Sequence, residues 1–297
     1  AKMEQARQQA PDEDAITFGL AELDYMSDLN DQALPLYQDL RQRQTMFGEV
    51  NLNQRVFQTL AKLGRYEEAA AFINDHKEDL LDIDAKYQAG VIMEETGQFD
   101  KAISFLDDVI KQSPDYVNAY PFLAKAYQEE DNPEEALFAA QTGLGYNELD
   151  EELYLTGAKA AAKLGKAEDA EDLLQRGLEV NPDNSSLRLL LSDLYLAQGR
   201  AEDSLALFTA LADSDLEPQA HWNMARSYQE MEKYDQALQE YLLAYQSLQT
   251  SPAFLRGMIS FAQESAHGDL ARQLLEKYLK LVPDDQEMQD LYEQLRN

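Results

Sequence analysis

The 297-residue sequence contains no cysteine, which excludes disulfides, thiolate metal sites and a cysteine nucleophile. Glycine (13) and proline (9) are scarce, as is typical of a helical chain. No run of about 18 apolar residues is present, so no membrane-spanning segment is predicted. The lack of cysteine also fits a reducing compartment, and we expect a cytoplasmic location.

Basic residues are also few, with 25 Lys and Arg against 56 Asp and Glu, for a net charge of -31. Such a surface repels phosphate backbones and anionic lipid headgroups. We therefore expect neither nucleic-acid binding nor direct membrane insertion. The acidity itself fits two interpretations, namely solubility or attraction of a cationic partner, and the totals alone leave both open.

Candidate catalytic residues are missing as well. The three histidines, His76, His221 and His267, show no metal-binding spacing such as HExxH. We expect His76 to be exposed to solvent and His221 to pack inside the protein. The phrase GLGYNE follows a predicted helix instead of a strand, so it is no phosphate-binding loop. The sequence predicts no catalytic site, no metal and no cofactor.

What the sequence does contain is a small residue that returns at a nearly constant interval. The series comprises Ala33, Ala69, Ala102, Ala136, Ala170, Ser204, Ala237 and Ala271. Successive members lie 36, 33, 34, 34, 34, 33 and 34 residues apart. Such a period is typical of stacked repeats, in which one unit is too small to bury its own apolar face. The interval favours a binding scaffold over a compact enzyme.

Residues 83–116 illustrate the repeat. A first predicted helix covers AKYQAGVIMEETG and ends at Gly97, and a second covers FDKAISFLDDVIKQ and ends before Pro114. Glycine is a common left-handed cap at a helix end, and the residue before a proline disfavours helix. Gly90 and Ala102 are small because the two helices are expected to cross closely there, where a larger side chain would overpack the contact.

The phrases GRYEEA, GQFDKA, GKAEDA and EKYDQA repeat this turn and the small residue after it. With them the sequence resembles the tetratricopeptide repeat (TPR) family, whose unit is a helix-turn-helix of about 34 residues. The resemblance is closest to acidic, repeat-only bacterial members. It implies an all-α, right-handed α-solenoid of about eight units. The predicted units are 14–49, 50–82, 83–116, 117–150, 151–184, 185–217, 218–251 and 252–285.

Some parts of the chain depart from the pattern. Pro35 falls within a predicted second helix, the first unit lacks a turn glycine, and in the last unit the glycine is displaced to Gly268. Residues 286–297 carry apolar residues on one helical face only, which predicts a C-terminal capping helix. Residues 1–13 are predicted to form the second helix of a truncated repeat, so we expect further repeats upstream.

The resemblance also implies a binding groove, because first helices line the inner surface of such a superhelix. Their fifth positions are apolar in five successive units, from Tyr87 to Trp222. An apolar strip with a polar rim suits an extended or helical peptide, although the same residues could instead pack between neighbouring helices. The predicted groove residues are Tyr87, Val91, Pro121, Lys125, Leu155, Lys159, Leu189, Leu196, Trp222 and Arg226.

The sequence thus predicts a non-catalytic scaffold that binds a protein or peptide along this groove. The alternative is a regulatory or assembly arm of a larger enzyme or of a secretion or membrane complex, with the other domain upstream. Self-assembly through the N-terminal helix is a third possibility. Asn223, Arg226, Lys159 and Lys163 supply only scattered parts of the clamp with which some TPR proteins hold a terminal carboxylate, so chaperone C-terminal binding is not predicted.

Overall fold

The computed structural model describes residues 13–80, 82–209 and 217–296. These residues contain 17 α-helices and one two-stranded hairpin, which confirms the all-α prediction. The chain divides into two compact units that adjoin in sequence at Gly165 and Lys166. The helix predicted for residues 1–13 lies almost wholly outside the described residues.

Unit 1 holds the first nine helices. Each helix packs against the next one in sequence. In addition, α5 packs against α7 and α7 against α9, each the first helix of the following repeat, as expected for a solenoid. The helices are α1 (Asp14–Met26), α2 (Asn30–Arg41), α3 (Leu52–Lys62), α4 (Tyr66–His76), α5 (Ile83–Glu95), α6 (Phe99–Gln112), α7 (Ala119–Glu129), α8 (Pro133–Tyr146) and α9 (Glu151–Lys163).

Unit 2 holds eight helices with the same pattern of contacts between neighbours. The last of them packs against α16 and buries only Met288. The helices are α10 (Ala167–Val180), α11 (Ser185–Ala197), α12 (Ala201–Ala206), α13 (Pro218–Glu230), α14 (Tyr234–Leu248), α15 (Pro252–Glu264), α16 (Gly268–Leu281) and α17 (Gln286–Arg296).

The period of the sequence reappears in the backbone as a series of left-handed residues. Each lies in a three-residue turn between two helices, five residues before a member of the small-residue series. The amide after it bonds back to the first helix, as in Gln98 N to Met93 O at 2.8 Å, which satisfies a terminal carbonyl. The left-handed residues are Asp28, Gly64, Gly97, Asp131, Gly165, Gly199, Glu232 and Ala266.

Four of these eight residues are not glycine. Asp28 and Asp131 belong to a residue type that tolerates the left-handed region, whereas Glu232 and Ala266 have a Cβ that disfavours it. The sequence placed the last turn at Gly268, but that residue begins α16 and the turn residue is Ala266.

The small-residue series lies where the helices cross. All eight members have no exposed surface. At Gly90 on α5, an added Cβ would lie 2.7 Å from Cγ of Leu106 on α6. The expectation that small residues permit close crossing is therefore confirmed at this contact, since anything larger would have to displace Leu106.

Helix ends follow local sequence signals. Helices α6, α10 and α16 stop two residues before Pro114, Pro182 and Pro283, because the residue before proline disfavours helical backbone. Several first helices begin with a side-chain cap, such as Asp82, which accepts the Ala85 amide at 3.3 Å.

A short hairpin between α2 and α3 was not predicted. Met46 pairs with Asn51 and Phe47 with Val50, around Gly48, whose φ is 60°. Phe47 stacks on Phe18 of α1 with ring centroids 4.3 Å apart. The hairpin occupies the extra length of the first repeat and covers an aromatic residue of α1.

The unit 2 crossing at Ser204 is polar. Its hydroxyl lies 2.7 Å from that of Ser192 on α11 and accepts the Ser227 hydroxyl of α13 at 3.0 Å. All three serines are fully buried. Because each hydroxyl has a partner, hydrogen bonds replace part of the apolar contact made at the other crossings.

Replacing Ala266 with glycine should raise the free energy of unfolding of unit 2 by about 0.5–1 kcal/mol, because glycine adopts the left-handed turn without a Cβ clash. Gly97→Ala is the reverse change, at a turn where a Cβ meets no atom within 4 Å, and should lower the stability of unit 1 by about 1 kcal/mol. Urea unfolding followed by circular dichroism measures both. A stabilised Gly97→Ala variant would contradict this account of the turns.

Candidate functional site

In each compact unit, the first helices of the repeats leave some of their side chains at the surface, and we call these residues the first-helix face of that unit. In unit 1 the predicted residues Tyr87 and Val91 lie on α5, and both are half-buried. Further along, Pro121 of α7 and Leu155 of α9 are also half-buried. Their exposed parts remain available for contact with another molecule.

Lys125 and Lys159, the predicted basic residues of this face, are exposed. Each lies one helical turn beyond an apolar residue of the same helix, Pro121 or Leu155, because residues four apart share a helical face. The face of unit 1 therefore carries a row of apolar side chains with a row of charged ones beside it.

A cavity of about 390 Å³ opens on the first-helix face of unit 1. Tyr87 and Val91 of α5 line one wall, and the other walls come from α1, α3 and the start of α4. The remaining lining residues are Tyr25, Gln58, Ala61, Lys62, Tyr66, Gln88 and Ile92. The groove prediction omitted these seven residues. Gln58 and Tyr25 hold in their own repeats the positions that the predicted residues Val91 and Leu196 hold in theirs, so repeat position could have identified both.

Aromatic contacts hold Tyr87 in place. Its ring lies 5.0 Å from that of Tyr116 and 6.0 Å from that of Phe122, the latter edge to face. Tyr116 donates a hydrogen bond to Asp84 at 2.8 Å, and burial raises the pKa of both tyrosines. Tyr87 is therefore a packed, neutral wall of the cavity with one side still open.

In unit 2 some of the predicted groove residues are buried in the core and others are partly exposed at the surface. Leu196 of α11 is 4% exposed, so it belongs to the core and offers nothing to a ligand. Leu189 is half-buried against Phe208, Ala220 and Met224. The groove prediction is corrected at Leu196, because this side chain is buried against neighbouring residues and does not reach the surface.

Trp222 of α13 is half-buried and packs edge to face on Phe254, with ring centroids 5.5 Å apart. It also lines a cavity of about 360 Å³ on the first-helix face of unit 2, together with Arg226, Gln229 and Gly257. Trp222 therefore packs between helices and also forms part of the surface. At this fifth position, packing and exposure on the groove side do not exclude each other.

Basic residues of the first-helix faces are paired with acids of a neighbouring repeat. Lys62 lies 3.2 Å from Asp28, and Arg226 lies 2.7 Å from Asp193. Exposed pairs of this kind contribute about 0–1 kcal/mol each. Further pairs of this kind are Arg55–Glu22, Lys125–Glu94, Lys163–Asp131 and the pairs of Arg256 with Asp285 and Glu287. Within the described chain, Lys159 has no ion pair.

Glu94 is the most buried of these acids. Its side chain is 3% exposed, whereas that of its partner Lys125, at 2.6 Å, is 47% exposed. The Glu94 hydrogen bond raises the pKa of Lys125, and the charges of Glu94, Glu95 and Glu152 raise it further. Lys125 is thus the single cation that balances a buried carboxylate, and three carboxylates surround it.

Comparison with known proteins agrees with this geometry. A tetratricopeptide repeat model matches residues 94–162 and 161–228. Two further models match residues 218–285, as YpiA-like C-terminal tetratricopeptide repeats, and residues 1–45, as YpiA-like tetratricopeptide repeats. The chain belongs to the tetratricopeptide repeat family.

Among curated proteins, this TPR chain is similar to the TPR repeat-containing protein YpiA of Bacillus subtilis (strain 168). The two are 28% identical over 290 residues, which span 97% of this chain and 69% of that protein.

Solved structures share the fold. The crystal structure of the APC/C hetero-tetramer Cut9–Hcn1 has a TM-score of 0.60 at 12% identity, over 95% of this chain and 55% of that one. Pseudomonas aeruginosa PilF has a TM-score of 0.58 at 20% identity, over 71% of this chain and 97% of that one.

Three of the four residues that resemble parts of a TPR carboxylate clamp, all except Lys159, are engaged in other contacts. Asn223 is 4% exposed and donates to the Ser192 hydroxyl at 3.1 Å. Lys163 pairs with Asp131, and Arg226 with Asp193. Each of the three would have to give up its present contact to bind a terminal carboxylate.

The histidines have structural partners. His76 is half-buried, stacks on Phe72 and contacts Arg41, so the expectation of an exposed side chain is wrong; the ring is covered by the helix turn before it. His221 lies 2.7 Å from Glu240 and is packed, as expected. Among the described residues, no group of three or more His, Cys, Asp and Glu side chains could hold a metal ion, and no helix is long and apolar enough to cross a membrane.

Lys125→Met should lower the stability of unit 1 by about 1–2 kcal/mol, because it leaves the buried Glu94 carboxylate without a cation. This is less than for a fully buried pair, since Lys125 is half exposed. Adding Glu94→Gln should restore most of the loss. The matched control is Lys163→Met, whose pair with the exposed Asp131 should change stability by about 0.5 kcal/mol or less. Equal losses in both single variants, measured by urea unfolding, would show that Glu94 needs no partner.

Proposed function

We propose that this protein is a non-catalytic scaffold that binds a peptide or protein partner through its first-helix faces. The observation that carries the proposal is the cavity of unit 1, where aromatic and aliphatic side chains surround about 390 Å³ of open space. Apolar surface in a concave site is a common feature of binding surfaces, because its burial by a partner releases water.

The surroundings of the cavity support binding over simple packing. Val91 and Tyr87 have neighbours on the helix side and open space on the other, so an added side chain could bury them further without moving a helix. The rim is charged, which keeps such a surface soluble while it is unoccupied. Ligand-binding cavities commonly enclose about 300–1,000 Å³, so a cavity of this size can hold a side chain of a partner.

The alternative of catalysis has less support. The polar groups that line the cavity are amides, tyrosine hydroxyls and one lysine already paired with an acid. That set contains no nucleophile held by a base, which is the minimum for acyl or phosphoryl transfer. TPR proteins are in general non-catalytic scaffolds. A cytoplasmic location completes the proposal, since it fits the lack of cysteine.

Binding of the partner should weaken when a charged side chain is introduced into the apolar wall of the cavity. Val91→Glu places a carboxylate in the apolar wall, so capture of partner proteins from native cell extract by the full chain should fall about tenfold or more. Phe138→Glu is the matched control, because Phe138 is an exposed apolar residue of α8, a second helix. Both variants should keep the wild-type circular dichroism spectrum and unfolding midpoint.

If capture persists with Val91→Glu but is lost with Phe138→Glu, the binding surface lies on the second helices and the proposal is wrong. The single tryptophan provides a separate readout for unit 2. If a captured partner contacts that face, its addition shifts Trp222 emission. An unchanged spectrum would confine binding to unit 1.

A further inference from the structure

The basic side chains nearest the unit 1 cavity are already paired with acids. Lys62 lies within the cavity wall, but its ammonium is held 3.2 Å from Asp28 and 4.0 Å above the Tyr25 ring. Arg55, on the same helix, is bound by both carboxylate oxygens of Glu22, at 2.8 and 3.0 Å. The cations nearest the cavity are therefore already neutralised and would have to break an existing pair to bind an anion.

The acids of the same face are less occupied. Glu95 follows Val91 by one helical turn on α5, and Glu129 follows Lys125 by one turn on α7. Glu152 lies in the first turn of α9. All three are exposed, and none forms a salt bridge with another described residue. The one unpaired cation beside them is Lys159, so free carboxylates outnumber free ammonium groups on this face.

Two side-chain oxygens of this face also lack a hydrogen-bond donor among the residues that the structure describes. Glu94 Oε2 and Gln128 Oε1 are acceptors without a donor in the structure. The two residues occupy equivalent positions on α5 and α7, and Lys125 covers the Glu94 carboxylate. Both oxygens are buried, so the acceptors that a partner can reach are those of the exposed carboxylates Glu95, Glu129 and Glu152, which N–H donors would complement.

We infer that the partner segment is cationic: an apolar side chain enters the cavity of unit 1, and neighbouring Lys or Arg residues meet Glu95, Glu129 and Glu152. This inference rests on the proposed function. It names the chemistry of the partner, which the apolar cavity alone does not decide. A neutral segment would leave the free carboxylates unmatched, and an acidic one would be repelled by them.

A net charge of -31 attracts any cationic peptide, so the test must separate this face from the molecule as a whole. The face variant carries Glu95→Gln, Glu129→Gln and Glu152→Gln. The control variant carries Glu67→Gln, Asp100→Asn and Glu134→Gln, which are exposed acids at equivalent positions in the first turns of α4, α6 and α8. Both variants change the net charge equally and in the same unit.

The probe is a displayed library of random short peptides, selected on the full wild-type chain and then synthesised with a fluorescent label. Selected peptides should pair an aromatic or aliphatic residue with adjacent Lys or Arg. Anisotropy titrations should show binding about tenfold weaker in the face variant but changed less than about twofold in the control variant. Raising the salt from about 50 to 500 mM should weaken wild-type binding and reduce the difference between the variants.

Two results would overturn the inference. Equal weakening in the face and control variants would assign the attraction to net charge. Selected peptides that are neutral or acidic, yet lost in Val91→Glu, would leave the binding function standing and remove only its cationic preference. Selection of peptides that bind Val91→Glu as well as wild type would instead contradict the proposed function itself.

Discussion

The structure depends on the close crossing of two helices at a residue with no exposed surface. A left-handed residue five positions earlier reverses the chain, and the small residue then lets the second helix approach the first. A single helix pair buries too little surface to be stable alone, so each pair relies on its neighbours. The first-helix face follows from this arrangement, because packing buries one side of each first helix and leaves its other edge at the surface.

The same arrangement distributes charge. First helices of neighbouring repeats lie side by side, so a lysine or arginine on one can reach an acid of the repeat before it, as Lys62 reaches Asp28 and Arg226 reaches Asp193. Each pair contributes little energy because it is exposed. Their effect on function is larger, because each pair removes a cation from the set that a ligand could meet. With only 25 basic residues, pairing leaves the face of unit 1 richer in free acid than its sequence composition suggests.

Sequence predicted those features that depend on residue size and spacing. The alanine period, the helix ends before prolines and the glycine turns were all readable, because each requires a particular residue type. The left-handed backbone at Glu232 and the position of the turn at Ala266 were not, since tertiary packing imposes this conformation on residues that disfavour it. For the site, Tyr87 and Val91 followed from repeat position, but the burial of Leu196 and the pairing of Lys125 depend on how neighbouring helices meet. Such contacts are properties of two repeats together, and a position within one repeat does not specify them.

The acidity of the chain had two interpretations at the level of composition, solubility or a cationic partner. Sorting the charges by their contacts separates these interpretations for one surface. Charges that only provide solubility can be distributed anywhere, and the exposed acids of the second helices meet that need. Glu95, Glu129 and Glu152 are different because they lie on the first helices of three successive repeats, and Glu95 follows the cavity residue Val91 by one helical turn. A chain bound along this face would bring its own charges close to them and partly exclude water. On the proposed function, an unmatched acid on this face selects against acidic segments, so charge that favours solubility would also select which segments bind there.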